Sequence, residues 1–184
     1  IMRLDATVGT VGHDPEKHSL FKVGKAKNGS YETQFKMMLA SLDPLGLPLV
    51  VDIASGNVAD DPLYEPCYQR AKEIVKEEGL LVVGDSKMSA IGMRGAVVMG
   101  NDHYLTPLAW LKDEPELMGK LLKEWQDKGE EAKNIFLPQD MPKDGSDPKP
   151  DLAIAYGFDE SRLWEGEAKR ETVEWQERVL VILS

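Results

Sequence analysis

At 184 residues, with 42% apolar content and a formal net charge of −10, the chain is long enough for one ordinary core plus an appended segment and too short for two large domains. Its acidity argues against a free-standing nucleic-acid binder, because phosphate contacts need clustered Lys and Arg. No apolar run approaches the roughly 20 residues that cross a bilayer, and a single cysteine, Cys67, with three scattered histidines, His13, His18 and His103, offers neither an internal disulfide nor zinc-type spacing.

These bounds predict a soluble, cytoplasmic protein without membrane contact, in which any metal is held by oxygen. The acidity is uneven. Residues 1–36 carry six basic side chains against four acidic ones, and the remaining 148 residues carry sixteen against twenty-eight. No charged-then-apolar leader opens the chain, which starts at Ile1 inside a strand-like segment and closes on the apolar run Val179-Leu180-Val181-Ile182-Leu183. Both ends read as cut from a longer polypeptide.

From Arg3 to Gly9, alternation puts Leu4, Ala6 and Val8 on one face and Arg3, Asp5 and Thr7 on the other, a strand pattern with Asp5 facing away from the apolar row. A basic, glycine-punctuated loop follows (Phe21-Lys22-Val23-Gly24-Lys25-Ala26-Lys27-Asn28-Gly29), then a strand from about Gln34 to Leu42. Asp43-Pro44-Leu45-Gly46 has type I turn chemistry and feeds a strand from Leu47 to Ala54, so these two strands are expected to form an antiparallel hairpin. The strongest helix signal covers Pro62 to Glu78, with Asp60 or Asp61 as cap, Pro62 in the first turn and Gly79 as the stop. Its buried stripe is Tyr64, Cys67, Tyr68, Ala71, Ile74 and Val75, which makes Cys67 a packed core thiol.

Leu80-Leu81-Val82-Val83-Gly84 is a continuous apolar run bounded by glycines, the pattern of a central strand covered on both faces and parallel to a neighbour. Asp85 stands at its carboxyl end, where ligands and catalytic groups collect in open α/β sheets. A looser helix at about Met88–Met99 and a strand at His103–Thr106 come next. Beyond Pro107 the pattern changes to an amphipathic helix at about Pro115–Lys128 (Leu117, Leu121, Leu122, Trp125), a proline-rich loop from Pro138 to Pro150, and strands near Leu152–Tyr156 and Val173–Leu183 around a charged stretch. Residues 1–107 are therefore assigned to the first part of a catalytic domain and 108–184 to a partial, strand-rich insertion. No internal repeat is visible.

A strand bearing Asp, a two-stranded hairpin, a helix and a buried strand ending in Asp is the opening order of a ribonuclease-H-like α/β domain, with an antiparallel hairpin beside parallel central strands, provided the two Asp-bearing strands are adjacent and parallel. Carboxylates projecting from two such strands can hold a pair of Mg²⁺ ions roughly 3.5 to 4 Å apart, which activate a water and stabilise the departing oxygen of a phosphodiester. An Asp at a strand end is also commonly a cap or an ion-pair partner, so spacing alone does not decide its role.

The segments Leu4-Asp5-Ala6-Thr7, Pro44-Leu45-Gly46-Leu47-Pro48-Leu49, Ser55-Gly56-Asn57 with Asp60-Asp61-Pro62-Leu63-Tyr64, and Val83-Gly84-Asp85-Ser86-Lys87-Met88 resemble, in order, blocks of bacterial insertion-sequence transposases of the DDE class, in the ribonuclease-H-like and retroviral-integrase-like superfamily. Tyr104-Leu105-Thr106-Pro107-Leu108 and Glu177-Arg178-Val179-Leu180-Val181 are similar to later blocks. The resemblance implies that Asp5 and Asp85 are the first two members of an Asp-Asp-Glu triad. It also implies Mg²⁺, or Mn²⁺ in its place, as cofactor, and double-stranded DNA, both transposon ends and target, as partner. A homodimer in the full-length complex and a location at the bacterial nucleoid fit the same picture.

Two features depart from the family pattern. Gly24-Lys25-Ala26-Lys27 stands where the family has Gly-His-Ser-Lys with Arg-Pro shortly after, and here Ser30-Tyr31 follows without the arginine. No tyrosine after Asp85 opens the Tyr-x-x-Arg-x-x-x-Glu run that carries the family's glutamate, so the third acid is expected past Ser184.

Lys22, Lys25 and Lys27 are the candidates for phosphate contact, against the plainer reading of solvated loop lysines. Asn57 can orient water or phosphate or simply mark a turn. Asp52 is expected to face solvent or pair with a base, with a supporting metal role as the alternative, and Trp125, Trp164 and Trp175 to pack. One rival function is a haloacid-dehalogenase-like phosphatase with Asp5 as nucleophile. Against it, Thr7 stands where a second Asp is usual, Ser89 where its metal motif has an acid, and a hairpin where its first helix belongs. The other rival is a catalytically dead transposase remnant acting as a binding module.

Overall fold

A computed structural model of the chain describes residues 1–26, 29–108, 114–129, 131–136, 141–153, 155–168 and 171–183. The chain divides into two units, Ile1–Ala109 with Gly166–Val173, and Trp110–Glu165 with Glu174–Ser184.

In the first unit the elements run β1 (Met2–Thr10), β2 (Lys22–Lys25), β3 (Tyr31–Leu42), β4 (Leu47–Ser55), α1 (Asp61–Val75), β5 (Leu81–Val83), a 3₁₀ turn (Ser86–Ser89), α2 (Ile91–Met99) and β6 (His103–Leu105). The sheet order is β3-β1-β5-β6, with β2 and β4 both paired to the free side of β3. β2 takes the first residues of β3 (Lys25↔Tyr31 to Lys22↔Gln34), and β4 takes the rest from Phe35 onward. β1 with β3 and β3 with β4 are antiparallel, whereas β1 with β5 and β5 with β6 are parallel. Three antiparallel strands leading through β1 into two parallel ones is the ribonuclease-H-like mixed α/β sheet expected from the order of sequence patterns.

Period-2 alternation decides which face of the sheet is covered. Met2, Leu4, Met38, Ala40, Val50 and Val82 pack against Tyr64, Cys67, Tyr68 and Ala71 of α1, with Met88, Met93 and Val97 completing the cluster. Each large side chain removed from water here contributes about 1.5–3 kcal/mol. Cys67 is fully buried, and burial pushes its thiol up to about 11, which suits a packing residue rather than a nucleophile.

Several boundaries differ from the sequence reading. β2 was expected as loop, because a glycine between lysines carries no strand signal. It forms by tertiary pairing, at a point where backbones approach closely: a Cβ on Gly56 would stand 2.0 Å from the Gln34 carbonyl oxygen and 2.7 Å from that of Lys22. Helix α1 stops at Lys76, in the left-handed region at φ 55, rather than at Gly79. Gly79, at φ 74, instead turns the chain into β5 while its N–H donates to the Asn101 carbonyl at 2.8 Å. Ile74, expected in the buried stripe, is 56% exposed. The Asp43-Pro44 turn is present with a cis bond in place of type I geometry. The looser helix starts at Ile91, after the separate 3₁₀ turn.

Further along the chain come α3 (Glu114–Lys128) and strands β7 (Lys133–Ile135), β8 (Ala155–Ala168) and β9 (Glu171–Leu183), whose sheet order is β7-β8-β9. Trp125 stacks on Phe158 at 4.8 Å between ring centroids, and Leu121, Trp175, Val179 and Val181 are buried, so Trp125 and Trp175 pack as expected. The charged stretch read as a connection belongs to β8, and β7 was not anticipated. No helix among the described residues is long and apolar enough to cross a membrane.

Candidate functional site

The parallel register of β1 and β5 pairs Met2 with Val82 and Arg3 with Val83. Asp5 lies two residues beyond the last position at which β1 pairs with β5, and Asp85 two residues beyond the end of β5, at the start of the 3₁₀ turn. Asp5 alternates out of the row made by the buried Met2 and Leu4 and is exposed, and among the described residues its carboxylate has no hydrogen bond or ion pair.

Asp85 is held far more firmly. It caps the 3₁₀ turn, its Oδ1 accepting from the backbone N–H of Lys87 at 2.9 Å. The same oxygen accepts from the Tyr64 hydroxyl at 2.6 Å. The main-chain carbonyl of Asp85 accepts from Thr106 Oγ1 at 2.7 Å and from the Met88 N–H at 3.0 Å, which ties the loop after β5 to the end of β6. Gly84 is needed for this approach, since a Cβ there would lie 2.8 Å from Met88 Sδ.

Tyr64 reports the electrostatics of the site. Its pKa lies above the ordinary tyrosine range, through burial first, then the hydrogen bond to Asp85, then the negative charges of Asp85, Asp5 and Asp60. Three carboxylates therefore act on one hydroxyl. Asp60, expected as a helix cap, makes no side-chain cap bond and pairs instead with Lys36 of β3, whose side chain is only 12% exposed. Asp61 lies 3.7 Å from Lys87 in an exposed ion pair.

Lys22 and Lys25 do not form one row. Lys22 donates to the Pro15 carbonyl at 2.7 Å and so closes the loop between β1 and β2. Lys25 is exposed and, three positions along the same short strand, points to the other face. Lys27 lies outside the described residues. Asp52 pairs with Arg70 of α1, and Asn57 accepts from Ser55 Oγ at 2.8 Å in a surface turn. Sequence reasoning missed Tyr64, Lys36 and Thr106 as parts of the site. The available signal for Tyr64 was chemical, because a tyrosine placed in a buried stripe must find a partner for its hydroxyl.

For a hard divalent cation the donor chemistry fits: among the described residues the Asp5 carboxylate has no hydrogen bond or ion pair, and Asp85 takes both of its side-chain bonds on a single oxygen. The set is incomplete, since no group of three or more His, Cys, Asp or Glu side chains among the described residues is arranged to hold a metal ion.

Neither a protein-family model nor a curated protein sequence matches the chain. Solved structures align with it distantly. A chain of the simian T-cell lymphotropic virus intasome, in complex with PP2A regulatory subunit B56 gamma, aligns over 70% of this chain and 42% of its own length, at 9% identity and TM-score 0.35. The Mos1 strand transfer complex aligns over 70% and 46%, at 12% identity and TM-score 0.36. Endonuclease V of Ciona intestinalis, bound to inosine-containing DNA, aligns over 85% and 64%, at 10% identity and TM-score 0.29. The chain thus spans less than two thirds of each of these proteins.

Proposed function

We propose that this chain carries the first two acidic residues of a DDE-type DNA transposase, which cleaves transposon ends and joins the freed 3′-hydroxyl to target DNA. The observation that supports the reading is that β1, which carries Asp5, and β5, which Asp85 follows by two residues, are adjacent and parallel in a ribonuclease-H-like sheet. Asp5 and Asp85 would hold Mg²⁺, or Mn²⁺ in its place. Such a metal pair, when bound, lowers the pKa of a water and offsets charge on the attacking and leaving oxygens.

The chain's own residues supply position. Asp85 sits on a backbone pinned to β6 through Thr106, so its carboxylate is presented from a fixed point. Asp5 lies inside the longest pairing of the sheet, opposite Leu39, which holds its Cα in register. Lys36 neutralises Asp60 and keeps a third negative charge beside the two aspartates compensated. The reading requires a third acid in addition to Asp5 and Asp85. Contact with duplex DNA, including any by Lys25 or Lys27, and a homodimeric complex belong to this proposal as well.

The phosphatase alternative has no support in the topology, because β1 is followed by β2 and β3 where that fold places a helix. The deciding experiment is metal-dependent nicking and joining of transposon-end DNA by the intact protein. Asp5→Asn and Asp85→Asn should each abolish it while leaving the circular dichroism spectrum unchanged. Retained activity in either variant would remove the reading.

A further inference from the structure

Helix α1 carries two buried tyrosines one turn apart, Tyr64 and Tyr68, and each gives its hydroxyl to an aspartate. The two arrangements differ in what they leave open. Asp102 is closed: Oδ2 accepts from Tyr68 at 2.7 Å and faces Lys72 Nζ at 2.8 Å, Oδ1 accepts from the Leu80 N–H at 2.9 Å, and the side chain is fully buried. Asp85 is half-closed. Oδ1 takes both of its bonds, from Tyr64 and from the Lys87 N–H, and the residue is exposed.

A carboxylate oxygen has about two lone-pair sites, so two donors fill Oδ1 and direct incoming electrophiles to Oδ2. The O–H···O⁻ bond at 2.6 Å is of the short, charge-assisted kind. It also removes a freedom that aspartate otherwise keeps, since the terminal torsion of Asp is broad and roughly two-fold. The donor itself cannot wander, because Tyr64 is 0% exposed and packed in the core.

We infer that Tyr64 is a positioning residue for the metal centre: its hydroxyl locks Asp85 so that Oδ2 alone is presented as a one-oxygen ligand to a divalent cation. This rests on the metal reading of Asp5 and Asp85 given above. Outer groups that orient a metal ligand typically contribute 10- to 100-fold in affinity.

The test is Mn²⁺ binding to the 184-residue chain, followed by the electron paramagnetic resonance signal of free Mn²⁺, in the unaltered chain, Asp85→Asn, Tyr64→Phe and Tyr68→Phe. Tyr68→Phe removes an equally buried hydroxyl from the same helix and controls for loosening of the fold. Asp85→Asn should lose binding, Tyr64→Phe should weaken it at least about tenfold, and Tyr68→Phe should leave it unchanged. Tyr64→Phe binding like the unaltered chain, or Tyr64→Phe and Tyr68→Phe weakening it alike, overturns the inference while leaving the metal reading in place. Unchanged binding in Asp85→Asn removes the metal reading itself. Should Tyr64→Phe not fold, the unaltered chain still answers. Its Tyr64 ring resonances should shift along a Mg²⁺ titration while those of the exposed Tyr31 stay fixed, and a Tyr64 signal that does not move counts against the inference.

Discussion

Tyr68 donates its hydroxyl to Oδ2 of Asp102 at 2.7 Å, joining the middle of α1 to the turn that precedes β6. Lys72 reaches the same oxygen, and Asp102 Oδ1 receives the N–H of Leu80 at the start of β5. One buried carboxylate therefore holds together the helix and the two parallel strands that frame the candidate site.

Tyr68→Phe should cost about 1–3 kcal/mol, the typical penalty when a buried acceptor loses a donor. Asp102→Ala should cost more, about 3–5 kcal/mol, because it leaves the largely buried Lys72 ammonium without its counter-charge. Urea unfolding followed by circular dichroism reads both, and a ranking in the opposite order would show that the network is not what braces α1.

The alkaline limit of stability follows from the same helix. Tyr64 and Tyr68 both have pKa values raised above the ordinary 10.0, with burial as the first cause and the aspartate partner next. A group whose folded-state pKa is raised contributes stability that is complete below the unfolded pKa and lost as pH rises above it. Stability should therefore begin to fall above about pH 10. In a titration watched by phenolate absorbance, two of the five tyrosines should ionise only together with unfolding. Smooth titration of all five in a chain that remains folded would contradict the buried placement.

Charge governs the third expectation. With a net charge of −10, and with Lys22 committed to the Pro15 carbonyl, the 184-residue chain should bind duplex DNA weakly, in a manner that fades as salt rises. It should also show no metal-dependent nicking, because two carboxylates leave a cation short of ligands. Mobility-shift titrations at two salt concentrations and a plasmid-nicking assay test this, and tight, salt-resistant binding would mean the DNA surface lies elsewhere than on the lysine segment.

Much of the sheet was legible because each strand carried its own signal: alternation in β1, turn chemistry before β4, and the glycine-bounded apolar run of β5. Those signals are local, and they sufficed to expect β1 and β5 as adjacent parallel strands. What was hidden depends on contacts between distant residues. β2 owes its existence to pairing with β3 and to the close approach at Gly56, neither of which a lysine-glycine segment announces. Lys36 sits in a row with Gln34, Met38 and Ala40 on the covered face, and only the position of Asp60 explains a lysine there. Tyr64 read as one more packing residue, since helical spacing identifies the buried face and not the partner of its hydroxyl.

The central claim is that Asp5 and Asp85 together bind a divalent cation, and crystals of the chain soaked in Mn²⁺ test it most directly through anomalous scattering. The account predicts a peak within bonding distance of a carboxylate oxygen of Asp5 and of Oδ2 of Asp85, lost in Asp85→Asn crystals. Peaks confined to other acidic side chains, or a peak that touches Asp85 through Oδ1 with the Tyr64 bond broken, would contradict it.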